Sequence, residues 1–213
     1  MRKITLLLIM LGTVLSGFAQ TTLGFRAGYN FTTITRIADF GLDDDRYTDF
    51  DWKSSVNFGV VVDLRKSQKF VFRPGIYYSC KGFKIDDEVF PKTNLNYLEM
   101  PLLAVFQQPI KDKIILEIQV GPYFAYGIGG KYEYEENIVK NNKGEFVGVY
   151  TKYKSFKDED VIQPYRRFDC GINAGLGINY NHFYLGASYE IGSYQVQYRA
   201  TNHCFSLNVG YNF

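Results

Sequence analysis

Eight stretches of the chain alternate between apolar and small or polar residues with a period of two. From Thr22 the odd positions read Leu23, Phe25, Ala27, Tyr29 and Phe31, against Gly24, Arg26, Gly28 and Asn30. The same alternation runs through residues 56–64, 70–79, 98–106, 114–126, 168–179, 183–191 and 205–213. Successive side chains of a strand point to opposite faces, so each stretch predicts a strand with one apolar face. The opposite face is unusual. A sheet face that meets bulk water carries many Lys, Glu and Thr; here it carries Gly, Asn and isolated ions. Small residues suit the crowded inside of a narrow barrel, which leaves the apolar face to look outward, to lipid. Closure also pairs every backbone N–H and C=O, which lipid cannot do. The pattern predicts an all-β fold: an eight-stranded antiparallel up-and-down transmembrane β-barrel with both termini on one side.

The connections alternate in length. Short ones fall around Lys66-Ser67-Gln68, at Gln108-Pro109-Ile110-Lys111-Asp112 and at Asn181-His182; long ones span residues 35–54, 84–95 and 129–167. Short periplasmic turns and long outer loops are the habit of outer-membrane barrels. Within 129–167, Lys131 to Glu135 and Phe146 to Tyr150 again alternate, which predicts a hairpin above the membrane, turning near Asn141-Asn142-Lys143-Gly144. Its edge is a candidate site for a protein partner that adds a strand.

Met1-Arg2-Lys3, the apolar run Ile4 to Leu15 and the small residues Gly17 and Ala19 form a secretory signal, with cleavage expected near Ala19 and a single barrel domain over 20–213. Removing residues 1–19 takes away Arg2 and Lys3 and no acid. The formal +2 charge thereby disappears, leaving 22 basic against 22 acidic residues. The next longest wholly apolar run is Leu102 to Phe106, so no transmembrane helix is predicted. The 18 Tyr and 18 Phe fit strands and membrane interfaces. Neutral charge argues against nucleic acid, and three Cys argue against a disulfide scaffold or zinc.

Four segments resemble the Bacteroidetes outer-membrane β-barrel family named after PorT: Gly24-Phe25-Arg26-Ala27-Gly28-Tyr29-Asn30, Leu98-Glu99-Met100-Pro101-Leu102, Gly121-Pro122-Tyr123 and the closing Gly210-Tyr211-Asn212-Phe213. The resemblance implies the barrel fold and an outer-membrane location. Through its founding member it also implies a link to protein secretion. A final aromatic strand residue, Phe213, is the signal that outer-membrane assembly machinery reads, so that machinery and outer-membrane lipid are the expected partners.

The predicted lumen holds Arg26, Asp63, Arg73, Lys81, Glu99, Glu117, Asp169 and Glu190. Arg26, Asp63, Arg73 and Glu117 fall near the periplasmic strand ends and are expected to form one layer of paired ions. An eight-stranded barrel is just wide enough for side chains to fill it, so the ions read as a salt-bridged plug, with a narrow ion or proton path as the alternative. Asp43, Asp45, Asp49 and Asp51 alternate in the first long loop and could hold Ca²⁺, but the segment lacks the glycine and terminal glutamate of an EF-hand and reads as a solvated acidic loop. His182 lies in a turn, and His203 has Ser206 on the opposite strand face, so no base–nucleophile pair is expected. Cys80 and Cys170 are expected to face out and Cys204 in or at the rim, with no disulfide. Asn30-Phe31-Thr32 matches a glycosylation triplet but lies inside a strand. No cofactor is expected. The leading reading is a non-enzymatic barrel that anchors and presents its outer loops. Support of secretion or passage of small solutes is the second reading, and an enzyme acting on lipid or envelope material the third.

Overall fold

The computed structural model describes residues 20–36, 50–85, 93–140, 146–156, 165–194, 196 and 200–213. Within them, strand segments run in the order β1 (Gln20–Arg36), β2 (Phe50–Asp51), β3 (Lys53–Arg65), β4 (Phe70–Ile85), β5 (Thr93–Lys111), β6 (Ile114–Gly129), β7 (Lys131–Lys140), β8 (Phe146–Lys154), β9 (Phe168–Tyr180), β10 (Phe183–Gly192) and β11 (Ala200–Asn212). Eight of these, β1, β3, β4, β5, β6, β9, β10 and β11, pair antiparallel in that order, and β1 returns to β11 to close the sheet. The predicted eight-stranded barrel is therefore present.

Strand parity is the organising fact. In β5 buried and outward residues alternate without a break from Thr93 to Gln107. Leu98 and Met100 look out, while Tyr97 and Glu99 look in. The outer wall is built from side chains such as Phe25, Ile76, Ile118, Leu176 and Val209, the surface a barrel shows to hydrocarbon. Aromatic pairs ring its turn end: Phe70 with Phe106, and Tyr211 with both Phe183 and Phe213. Tyr29, Phe31 and Phe205 cluster toward the other end.

The tight turns lie at one end, beside the start of β1 and the end of β11, where Gly24 sits opposite Asn212. Ser67 accepts the Phe70 amide in the β3–β4 turn. Asn181 turns β9 into β10 with φ 53°, a conformation that Asn tolerates better than most residues. The β5–β6 turn is shorter than the sequence suggested. Gln108 to Lys111 belong to β5, with a register shift between Pro109 and Lys111, and only Asp112 and Lys113 turn. Proline has no N–H to give the ladder and is accommodated at such a bulge.

At the other end the strands outrun the apolar wall. Phe50 and Asp51 pair with Ile85 and Lys84. After Gly130, whose φ of 137° suits glycine, the β6 strand continues as β7, which pairs with β8 from Lys131 opposite Lys154 to Lys140 opposite Phe146. The expected hairpin is thus formed, and its turn lies outside the described residues. So do residues 1–19 and three of the four candidate Ca²⁺ ligands, Asp43, Asp45 and Asp49; Asp51 is exposed in β2.

Candidate functional site: the barrel interior

Inward parity brings the eight predicted lumen ions inside, each buried. Asp63, Arg73 and Glu117 form one group, and Lys81, Glu99, Asp169 and Glu190 form a second. Near the turn end, Arg73 is clamped by two carboxylates. Its Nε and Nη2 donate to Asp63 at 2.5 and 2.8 Å, and its Nη1 and Nη2 donate to Glu117 at 2.8 and 3.0 Å. Planar guanidinium satisfies this double fork in a way an ammonium does not. Glu117 also accepts Gln107 Nε2 at 2.6 Å and Asn179 Nδ2 at 2.5 Å. The network runs on around the wall: Arg65 donates to Gln107, Asn212 to Asn179, and Arg26 to Asn212 at 2.7 Å.

Arg26 departs from the expectation. Among the described residues it has no acidic partner; it bonds Asn212 and the Phe25 carbonyl, and its guanidinium stacks 4.1 Å above the Tyr184 ring. A cation over an aromatic face gains electrostatic attraction without a counter-ion. Beside this layer Val71, Leu103 and Val105 form a small buried apolar cluster, with Leu103 the cross-strand neighbour of Arg73.

The second group surrounds Lys81. Its Nζ lies 2.8 Å from Glu99 and 2.8 Å from Glu190, 3.8 Å from Asp169, and 4.3 Å from the Tyr123 ring centre. Asn173 donates to Glu190 and Asn202 to Asp169, each at 2.8 Å. Lys53, which the sequence reading missed because it started that strand at Val56, donates to Asn94 at 2.5 Å. Between the two groups lies a chamber of about 40 Å³, lined by Asn57, Ser79, Asn173, Ser206 and Asn208 among others. It has room for a few water molecules and little else.

An aromatic lid covers the outer end. Ile34, Phe83, Leu95, Tyr97, Tyr123, Tyr132, Phe156, Tyr165 and Val196 pack into one buried cluster. Phe156 comes from the chain after β8 and lies directly over Gly127, where any Cβ would collide with its ring. Arg167 holds it down, donating to the Gly127 carbonyl at 3.1 Å and to the Phe156 carbonyl. Ser155 fixes the same turn by donating to the Asn94 carbonyl at 2.7 Å. Sequence reasoning missed the lid because Phe156, Tyr165 and Val196 lie outside the alternating stretches. Cys204 gives a test. It faces the lumen and is 1% exposed, and all three cysteines are free. With Cys80 and Cys170 changed to Ser, Cys204 should resist a charged, water-soluble thiol reagent; Phe156→Ala with Arg167→Ala should make it react. Equal labelling rates would refute the seal.

Comparison with protein families decides the class. The family model of the outer membrane protein beta-barrel domain matches residues 18–196. The chain belongs to that family. It is an integral outer-membrane β-barrel protein, so the tight turns face the periplasm and the lid faces the cell exterior. Similar solved structures include Ail, the attachment invasion locus protein of Yersinia pestis, at 14% identity over 91% of this chain and 99% of that one, with a TM-score of 0.46. OprG from Pseudomonas aeruginosa is 12% identical over 92% of this chain and 97% of that one, with a TM-score of 0.48. No protein of curated function matches the chain.

The barrel brings no described histidine within hydrogen-bonding reach of a described serine, threonine or cysteine side chain. His182 Nδ1 donates to the Asn212 carbonyl at 2.8 Å, and His203 hydrogen-bonds the Tyr189 hydroxyl at 3.1 Å. Cys204 and Ser206 face the lumen, away from His203.

Proposed function

We propose that this outer-membrane barrel is a non-enzymatic anchor that presents its outer loops, chiefly the β7–β8 hairpin, to a partner. The observation that carries this reading is the filled interior. Two ion-paired groups, a buried apolar cluster and an aromatic lid leave a chamber of about 40 Å³, so the wall and the outer loops are the surfaces available for work. The hairpin projects ten residues of β7 and nine of β8 past the last strand of the wall, and a free strand edge is a ready template for strand addition. Export by a signal cleaved near Ala19 is part of this proposal and rests on the Met1–Ala19 sequence pattern. Recognition of Phe213 by the assembly machinery belongs to the same proposal.

Two measurements test it. In planar bilayers the purified barrel should give no steady conductance; a steady open channel would favour the solute-passage reading. Deleting Glu135 to Val149, which spares Tyr132 in the lid and Tyr153 packed against it, should leave the heat-modifiable gel shift intact and abolish co-purification of an outer-membrane or extracellular partner. Retention of the same partners would remove the hairpin from the function. The PorT-like segments Gly24–Asn30 and Leu98–Leu102 support an accessory role in secretion as the form that partnership takes.

A further inference from the structure

The base of the hairpin carries an unusual pair. Lys131 and Lys154 are direct cross-strand partners, and both are exposed. Directly opposed residues hold their Cβ atoms about 5 Å apart, and like charges there destabilise a sheet. The neighbouring positions Tyr132 and Tyr153 stack on each other and pack inward against the lid. Alternation therefore turns Lys131 and Lys154 to the outside, over the lipid-facing wall. Among the described residues neither ammonium has a carboxylate partner. At the next step on this face Glu133 stands opposite Lys152, so the like-charge pair is confined to the base.

Its height above the membrane is set by the wall below. Tyr126 and Ile128 of β6, at 54% and 51% exposure, are the last outward apolar positions before Gly130 and Lys131. Phe168 stands opposite Tyr126 on β9, and the exposed Arg166 precedes it, its guanidinium 5.7 Å from the Tyr194 ring. The two lysines thus sit one short step beyond the hydrocarbon band, at the level of lipid headgroups, with aromatic side chains beneath them. That position and charge fit an anion carried on a lipid.

We propose that Lys131 and Lys154, with Arg166 at the adjoining strand end, form a binding site for the phosphate of a phosphorylated lipid headgroup in the outer leaflet. The phosphate offers acceptor oxygens to both ammonium groups and converts a repulsive pair into a bridged one. The site is independent of any partner at the hairpin tip.

The test uses the full barrel in phosphatidylcholine nanodiscs doped with diphosphoryl lipid A or with the same lipid stripped of its phosphates. Lipid retained after release into detergent is counted by native mass spectrometry. Each basic residue near an anionic headgroup contributes about 1 kcal/mol, so Lys131→Gln with Lys154→Gln should cut retention of the phosphorylated lipid roughly thirtyfold. The corresponding double Arg variant should retain it. In undoped nanodiscs the double Gln variant should melt no lower than wild type, because it loses only a repulsion; this separates lost binding from lost folding. Equal retention of phosphorylated and stripped lipid, or unchanged retention by the double Gln variant, would overturn the proposal. So would displacement of the lipid by inorganic phosphate alone, which would reassign the lysines to a free anion.

Discussion

Arg73→Ala is expected to destabilise the barrel by about 3–5 kcal/mol, the usual result of breaking a buried ion pair from one side. The substitution removes four hydrogen bonds to Asp63 and Glu117. More costly, it strands two carboxylates in a lumen from which bulk water is excluded. Glu117 keeps Gln107 and Asn179 as donors, whereas Arg73 is the donor to Asp63 among the described residues, so Asp63 suffers more. Urea unfolding in lipid vesicles, followed by heat-modifiable migration, measures the loss. Adding Asp63→Asn and Glu117→Gln to the same chain should recover most of it. Arg73→Lys should fall between, because one ammonium cannot make both forks. A midpoint for Arg73→Ala indistinguishable from wild type would show that the clamp contributes nothing.

Lys81→Met is expected to be as severe or worse, because three acids depend on one cation. Glu99, Asp169 and Glu190 all lie within 4 Å of Lys81 Nζ. Methionine fills the volume but leaves three mutually repelling carboxylates about mid-lumen. The unpaired charges cost several kcal/mol each before relaxation, so the variant should fail to fold into vesicles at neutral pH. Two further changes, Glu99→Gln and Glu190→Gln, should restore folding. If the triple variant folds no better than Lys81→Met, the defect lies in packing against Tyr123 and Tyr97 rather than in charge.

Much of this was legible in the alternation. Parity alone separates Leu98 and Met100 from Tyr97 and Glu99, because the side-chain period of a strand is two and one face had to meet lipid. The same parity sets Val71, Leu103 and Val105 inward, where they pack together. Other features follow from three-dimensional register, which no single strand reveals. Arg73 finds Asp63 one strand away but Glu117 two strands away, and the split of the ions into two groups depends on how β4, β6, β9 and β10 are staggered. Arg26 has the parity of an ion-layer member, yet it turns toward Asn212 and Tyr184, a side-chain choice that spacing does not encode. The lid is illegible for a different reason. Phe156 and Val196 belong to connections without periodicity, and Phe156 is held by Arg167 and by the absence of a side chain at Gly127, partners 11 and 29 residues away in the sequence.

The chain of hydrogen bonds from Arg65 through Gln107, Glu117, Asn179 and Asn212 to Arg26 crosses the seam where β1 meets β11. That seam joins residues nearly the whole chain apart, Gly24 with Asn212, so it carries the largest loop-closure cost in the molecule. An unclosed sheet would leave Arg26 without Asn212 and would present its guanidinium to hydrocarbon. Insertion should therefore proceed with little reward until the final strand docks, and then lock in a single step. The network acts as a latch on barrel closure. Asn212→Ala should accordingly slow the last phase of folding into vesicles more than the earlier ones, leaving half-closed sheets as the species that accumulate.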